Sequence, residues 1–107
     1  MQSPERLIPG SALTGSTATY FTAQTKSILK SLRFCNTSAT PVTVSVWIVP
    51  PAGSPGTANK IMHDETLATG YSPPFYMAEV LPTGYMVQAS CSVNGVTGFT
   101  ASGIVYT

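Results

Sequence analysis

Apolar and polar positions alternate along most of this chain with a period of two, the spacing that sends successive side chains to opposite faces of a pleated strand. The pattern is clearest on either side of a polar break. In residues 27–35 (SILKSLRFC), Ile28, Leu32 and Phe34 fall on one side with Lys30 among them, while Ser31 and Arg33 point the other way. In residues 42–49 (VTVSVWIV), Val42, Val44, Val46 and Ile48 share a side and Trp47 lies on the opposite one. The break between them is made of turn formers. Asn36 tolerates left-handed backbone, and Ser38 and Thr40 can hydrogen-bond their own backbone. Pro41 suits the opening of a strand and not its middle. Residues 27–49 therefore predict a β-hairpin against which the other strands pack.

The same reading extends along the chain. Residues 1–10 are polar, end in the turn pair Pro9-Gly10, and carry Leu7 and Ile8 as a small apolar anchor; they predict an extended arm, with or without a short strand in it. Residues 11–17 read as a loop and residues 18–22 (ATYFT) as a short aromatic strand. The stretch PPAGSPGTAN, residues 50–59, holds three prolines and two glycines, which forbid regular structure. It predicts an exposed loop, either simply solvated or available for contact with a partner. Residues 60–68 fit a helix or a strand; the strand is preferred because the neighbours are strands, and it groups Ile61, His63, Glu65 and Leu67. A turn at 69–73, a strand at 74–81 and a turn at Pro82-Thr83-Gly84 follow. Residues 85–93 alternate, with Tyr85, Val87, Ala89, Cys91 and Val93 inward. Asn94-Gly95 is a strong hairpin signal, and residues 96–107 return as a last strand loosened by Gly98 and Gly103. Seven to eight short strands with turns every eight to twelve residues predict an all-β chain, an antiparallel β-sandwich or jelly-roll-like domain over residues 11–107.

Composition changes this picture in one respect. Charged residues are only 8% of the chain, and fifteen Thr and twelve Ser stand in their place. Such a surface suits an ordinary Thr-rich β-domain, or one largely covered by neighbours in a homo-oligomer or larger assembly. The formal net charge is +1 and the nearest approach to a basic cluster is Lys26, Lys30 and Arg33, so phosphate-driven nucleic-acid binding is not expected. Residues 1–10 lack the apolar run of an export signal, and no window holds the roughly 18 apolar residues of a membrane span. Without export, Cys35 and Cys91 are expected as two buried free thiols.

Candidate chemistry is sparse. His63, Asp64 and Glu65 are consecutive, and a strand would put His63 and Glu65 on one face about 7 Å apart. Two side chains do not complete a metal shell, and charge on an edge strand has the plainer role of discouraging unwanted pairing. No G-x-S-x-G elbow and no Gly-rich phosphate loop occurs. The expectation is no enzyme and no cofactor. Tyr20, Phe21, Tyr71, Phe75, Tyr76, Tyr85, Phe99 and Tyr106 would make a carbohydrate platform if they cluster on the surface, and core if they do not.

The order of turns and strands resembles small virion proteins of tailed bacteriophages. The residues that carry the likeness are the aromatic strand 18–22, the strand ending in Phe34-Cys35-Asn36-Thr37-Ser38, the Val-rich strand ending in Val49-Pro50, Leu67 to Gly70, Leu81-Pro82-Thr83-Gly84-Tyr85, and Ser102-Gly103. The resemblance covers roughly residues 15–107. It implies a β-sandwich with a structural role in the virion, assembled in the host bacterial cytoplasm. That role is capsid cement (decoration) on the major capsid protein, or a neck, tail or fibre-base part. A carbohydrate-binding module is the alternative from another class. For a clamp, the expected contact residues are Leu7 and Ile8 on the arm and Pro50, Pro51, Pro55 and Asn59 in the loop.

Overall fold

The computed structural model describes residues 2–70 and 74–106. Eight strands form: β1 (Gln2–Ala12), β2 (Ala18–Thr22), β3 (Ser27–Asn36), β4 (Val42–Val49), β5 (Lys60–Leu67), β6 (Pro74–Leu81), β7 (Met86–Cys91) and β8 (Thr97–Tyr106). The one helical element among the described residues is a single 3-10 turn at Thr57–Asn59. All pairings are antiparallel. The first sheet has the order β1-β8-β3-β6 and the second β2-β7-β4-β5. Two four-stranded antiparallel sheets in this order, with the chain passing repeatedly between them, make a jelly roll, as the alternation pattern predicts. The expected turn at 69–73 lies outside the described residues at Tyr71, Ser72 and Pro73, as do Met1 of the arm and Thr107 of the last strand.

From β2 onward the strands are where the pattern predicts them, but two expected connections, the hairpins at residues 27–49 and at Asn94-Gly95, are different. Residues 27–49 are not a hairpin. β3 pairs with β8 and β6, and β4 pairs with β7 and β5, so residues 37–41 arch from one sheet to the other. The Asn36 side chain, fully buried, causes the arch. Its Nδ2 donates to Thr40 O at 2.9 Å and to Leu67 O at 3.0 Å, and its Oδ1 accepts from Ser38 N at 2.9 Å. Leu67 ends β5, so the amide that closes the turn also ties the first sheet to the second. Asn94-Gly95 likewise joins β7 to β8 in the other sheet. Gly95 takes φ +79° and its N–H donates to Leu13 O at 2.9 Å, which fastens this turn to the link between β1 and β2. The turn at residues 82–84 also crosses between sheets. Among the described residues the only consecutive strands that pair are β4 and β5, and the Pro-rich loop is what joins them.

The expected arm is strand β1, paired with β8 along its length at one edge of the first sheet. Leu7 is the extra residue of a bulge between Arg6 and Ile8, so Leu7 and Ile8 both turn inward, at 8% and 0% exposure. A bulge also shifts the phase of β3. The pairing slips between Leu29 and Ser31. Leu29 rather than Ile28 therefore shares the inner face with Leu32 and Phe34.

Between the sheets lie Ile8, Leu13, Leu29, Leu32, Phe34, Val42, Val44, Val46, Leu67, Leu81, Val87, Ala89, Phe99 and Ala101. Phe34 and Phe99 stack at 4.9 Å between centroids, and Phe75 and Tyr20 meet them edge-on at 5.9 and 5.6 Å. The aromatic set thus divides: Tyr20, Phe21, Phe75, Tyr85 and Phe99 belong to the core or its margin, and Tyr76 is 80% exposed. Val93, expected inward, is 40% exposed because β7 ends at Cys91. Cys91 is buried, whereas Cys35, also expected to be buried, is exposed; both are free thiols. No helix among the described residues is long and apolar enough to cross a membrane.

Candidate interaction surfaces

The contact residues nominated from the sequence separate into two groups. Leu7 and Ile8 are not available to a partner: they are core residues, because the β1 bulge turns consecutive side chains into the sandwich. The loop residues do lie at the surface. Pro51 and Pro55 are exposed, and Pro50 and Asn59 are half-buried.

Local bonds shape that loop. Gly53 N donates to Pro50 O at 3.0 Å, and Ala52 adopts φ +59°, the left-handed region. Pro51 packs on the turn at Gly84, where φ is +90° and a Cβ would come within 2.8 Å of Pro51 Cγ. The far end is held by Asn59, whose Oδ1 accepts from Gly56 N at 2.9 Å and whose Nδ2 donates to Ser54 O at 3.1 Å. Asn59 therefore spends its amide on the loop itself. Pro55, between these two fastenings, is the exposed apolar tip.

The His63-Asp64-Glu65 triplet sits on β5, an edge strand, as the sequence predicts. Its geometry differs from a regular strand. Val44 pairs with Glu65 and Val46 with Met62, so His63 and Asp64 together face the single residue Ser45. Asp64 takes φ +44°. Ser45 pins it from both ends: Asp64 N donates to Ser45 Oγ at 3.0 Å, and Ser45 Oγ donates to Asp64 Oδ1 at 3.1 Å. Lys60 Nζ lies 2.6 Å from His63 Nδ1. On the other side of the ring, His63 Nε2 faces Asp64 Oδ2 at 3.5 Å. Lys60 Nζ also lies 5.0 Å from the Trp47 ring centroid, which accounts for the half-buried Trp47 on the outer face of the second sheet. His63 and Asp64 are 72% and 63% exposed. Among the described residues no group of three or more His, Cys, Asp or Glu side chains could hold a metal ion.

A third surface was not legible from chain order. Arg6, Ser31, Arg33, Tyr76, Thr100 and Ser102 line a cleft of about 210 Å³ on the outer face of the first sheet. Arg6 and Arg33 are 27 positions apart in the chain. Cross-strand register brings them together through β8, with Arg6 opposite Ser102, Ser102 opposite Ser31, and Arg33 opposite Thr100. Only the strand order could have revealed this.

The fold defines the class: an eight-stranded jelly roll of two antiparallel sheets. Solved structures share this fold. The chain is similar to a chain of the T13 particle of infectious bursal disease virus (TM-score 0.57, 13% identity), over 97% of this chain and 30% of that one. It is also similar to chains of the Gx strain of the same virus (TM-score 0.53, 17% identity) and of its VP2 subviral particle (TM-score 0.50, 19% identity), again over 97% of this chain. The matched part is 30% and 31% of those chains. At these identities the likeness is one of fold. No protein-family model and no curated protein sequence matches the chain.

Proposed function

We propose that this chain is a structural protein of a virus particle, acting as capsid cement (decoration) on the major capsid protein. The observation that carries the reading is the match of nearly the whole chain, 97%, to part of chains that form virus particles. The jelly roll recurs in viral capsid domains, where it stacks side by side without leaving long open sheet edges. The reading is non-catalytic and its partners are other virion proteins. The tailed-bacteriophage origin, with assembly in a bacterial cytoplasm, rests on the turn-and-strand resemblance of residues 15–107; the solved structures are of a different virus and do not bear on it. A neck, tail or fibre-base position is the nearest alternative.

Within this reading the contact surface includes the loop at residues 50–59, with Pro51 and Pro55 presented on a turn that is already shaped before binding. A preshaped loop loses little conformational entropy on docking. Repeated over a shell, modest contacts of this kind sum through multivalency.

The test is cosedimentation of the purified chain with particles from which it has been stripped. Cement binds shells saturably at a fixed ratio to the shell protein. Binding confined to isolated necks or tails selects the alternative position. Binding to neither, together with retention on immobilised sugars, overturns the virion role in favour of a carbohydrate-binding module.

A further inference from the structure

Most basic residues of this chain gather on one sheet face. The outer face of the first sheet carries a row formed by Arg6, Ser102, Ser31 and Tyr76 in register across four strands. Beside it lies Thr100, Arg33 and Pro74, and Lys30 is exposed at the β3 bulge. Lys26 sits at the end of this face, 4.8 Å from the Tyr106 ring centroid. Four of the five basic residues, Arg6, Lys26, Lys30 and Arg33, are therefore here. The acids of the same sheet point away from it. Glu5 pairs with Gly103 and Glu79 with Leu29, both buried inner-face positions, so the two carboxylates belong to the inner margin. Among the described residues no carboxylate lines the 210 Å³ cleft. The other two acids, Asp64 and Glu65, are exposed on the β5 edge of the second sheet; the Ser45-pinned bulge presents Asp64 on the outer side, and Glu65 follows it opposite Val44, on the inner side of the same edge.

We infer that the outer face of the first sheet receives the β5 edge of a second copy of this chain at its bulge, edge-on, so that the exposed Asp64 and Glu65 on either side of that edge meet Arg6 and Arg33. Two guanidinium forks over a floor of hydroxyls are suited to carboxylates. Alongside them, Tyr76 is 80% and Val80 55% exposed, and Val80 continues a row with Ile28, Ile104 and Pro4. This apolar strip supplies area that keeps water from the ion pairs; the charges set the register and the rate of encounter. Face and bulge are different surfaces of one molecule, so the contact is head-to-tail. Such contacts close into a ring if the rotation between copies allows, and otherwise continue as an open chain. The inference rests on this chain's own surfaces and does not depend on the virion role.

The experiment is sedimentation velocity of the purified chain over a concentration series, at low and at high salt. Concentration-dependent oligomers that dissociate in high salt are expected. Arg33→Glu and Glu65→Arg should each weaken association by about tenfold or more. An equimolar mixture of the two variants should restore it, because each then offers what the other lacks at both surfaces. Both positions are exposed, and unchanged far-ultraviolet circular dichroism and thermal midpoint confirm that the variants fold. A monomer at every concentration overturns the inference. So does association that Glu65→Arg leaves intact, which would mean face-to-face pairing. Binding of an acidic sugar such as glucuronate in the cleft, lost with Arg33→Glu and without self-association, also overturns it.

Discussion

Asn36 decides, more than any other polar side chain, how the chain passes from one sheet to the other. Its amide satisfies two carbonyls and a backbone N–H on two segments, the arch itself and the end of β5, while fully buried. Asn36→Ala leaves Thr40 O and Leu67 O without that partner, and should destabilise the domain by about 2 kcal/mol or more in urea unfolding. A cost within about 0.5 kcal/mol, the range of ordinary surface changes, would contradict this account of the arch. Gly103 makes a similar case from sterics. A Cβ there would run into the Ile28 carbonyl oxygen and lie 3.0 Å from Leu7 Cδ1, whereas at Gly98 the nearest atom, Cys35 Cβ, is 3.9 Å away. Gly103→Ala should therefore lower the thermal midpoint sharply, and Gly98→Ala should change it little. Equal effects would mean that the close approach of β3 to β8 is not what requires glycine. At this scale the sequence was partly legible. Asn36, Ser38 and Thr40 were recognisable as turn formers, and Gly103 as a special strand position. Which segments they would bond or touch depends on partners far away in the chain.

At the scale of elements, periodicity located strands well and pairings poorly. Alternation in residues 42–49 and 85–91 is a local property of backbone and side chains, and it appears in β4 and β7 as read. Pairing is a non-local property. A hairpin and an inter-sheet arch use the same turn residues, so Asn94-Gly95 could not announce that β7 and β8 belong to different sheets. Bulges hide in the same way: Leu7-Ile8 looked like an anchor on an arm because consecutive apolar residues do not fit a regular two-residue period. The consequence for β1 is concrete. Removing residues 1–10 takes Ile8 from the core and strips β8 of its outer partner, so the truncated chain should aggregate or unfold, losing its cooperative thermal transition. A truncated chain that unfolds like the intact one would show that β1 is dispensable. The β5 bulge gives a milder case. Ser45→Ala removes both bonds to Asp64 and should cost about 1 kcal/mol. It should also speed amide hydrogen exchange at Asp64, and unchanged exchange would mean that Ser45 does not pin the bulge.

For the whole molecule, the low charge noted at the outset acquires a geometry. With Glu5 and Glu79 on the inner margin, the first sheet offers an outer face that is basic and partly apolar, while the other two acids, Asp64 and Glu65, lie on the β5 edge of the second. The principal extents are 43 × 26 × 18 Å, so these surfaces and the loop at residues 50–59 are presented by a flat, elongated body that can meet several neighbours at once. Such a body fits a component of a repeating shell, and abundance is the property that separates that role from the others. Quantitative mass spectrometry of purified particles, scaled to the most abundant shell protein, measures it directly. A cement protein is present in a fixed ratio to the shell protein, at hundreds of copies per particle. Six or twelve copies would move the chain to the neck or tail, and its absence from the particle would contradict a virion role.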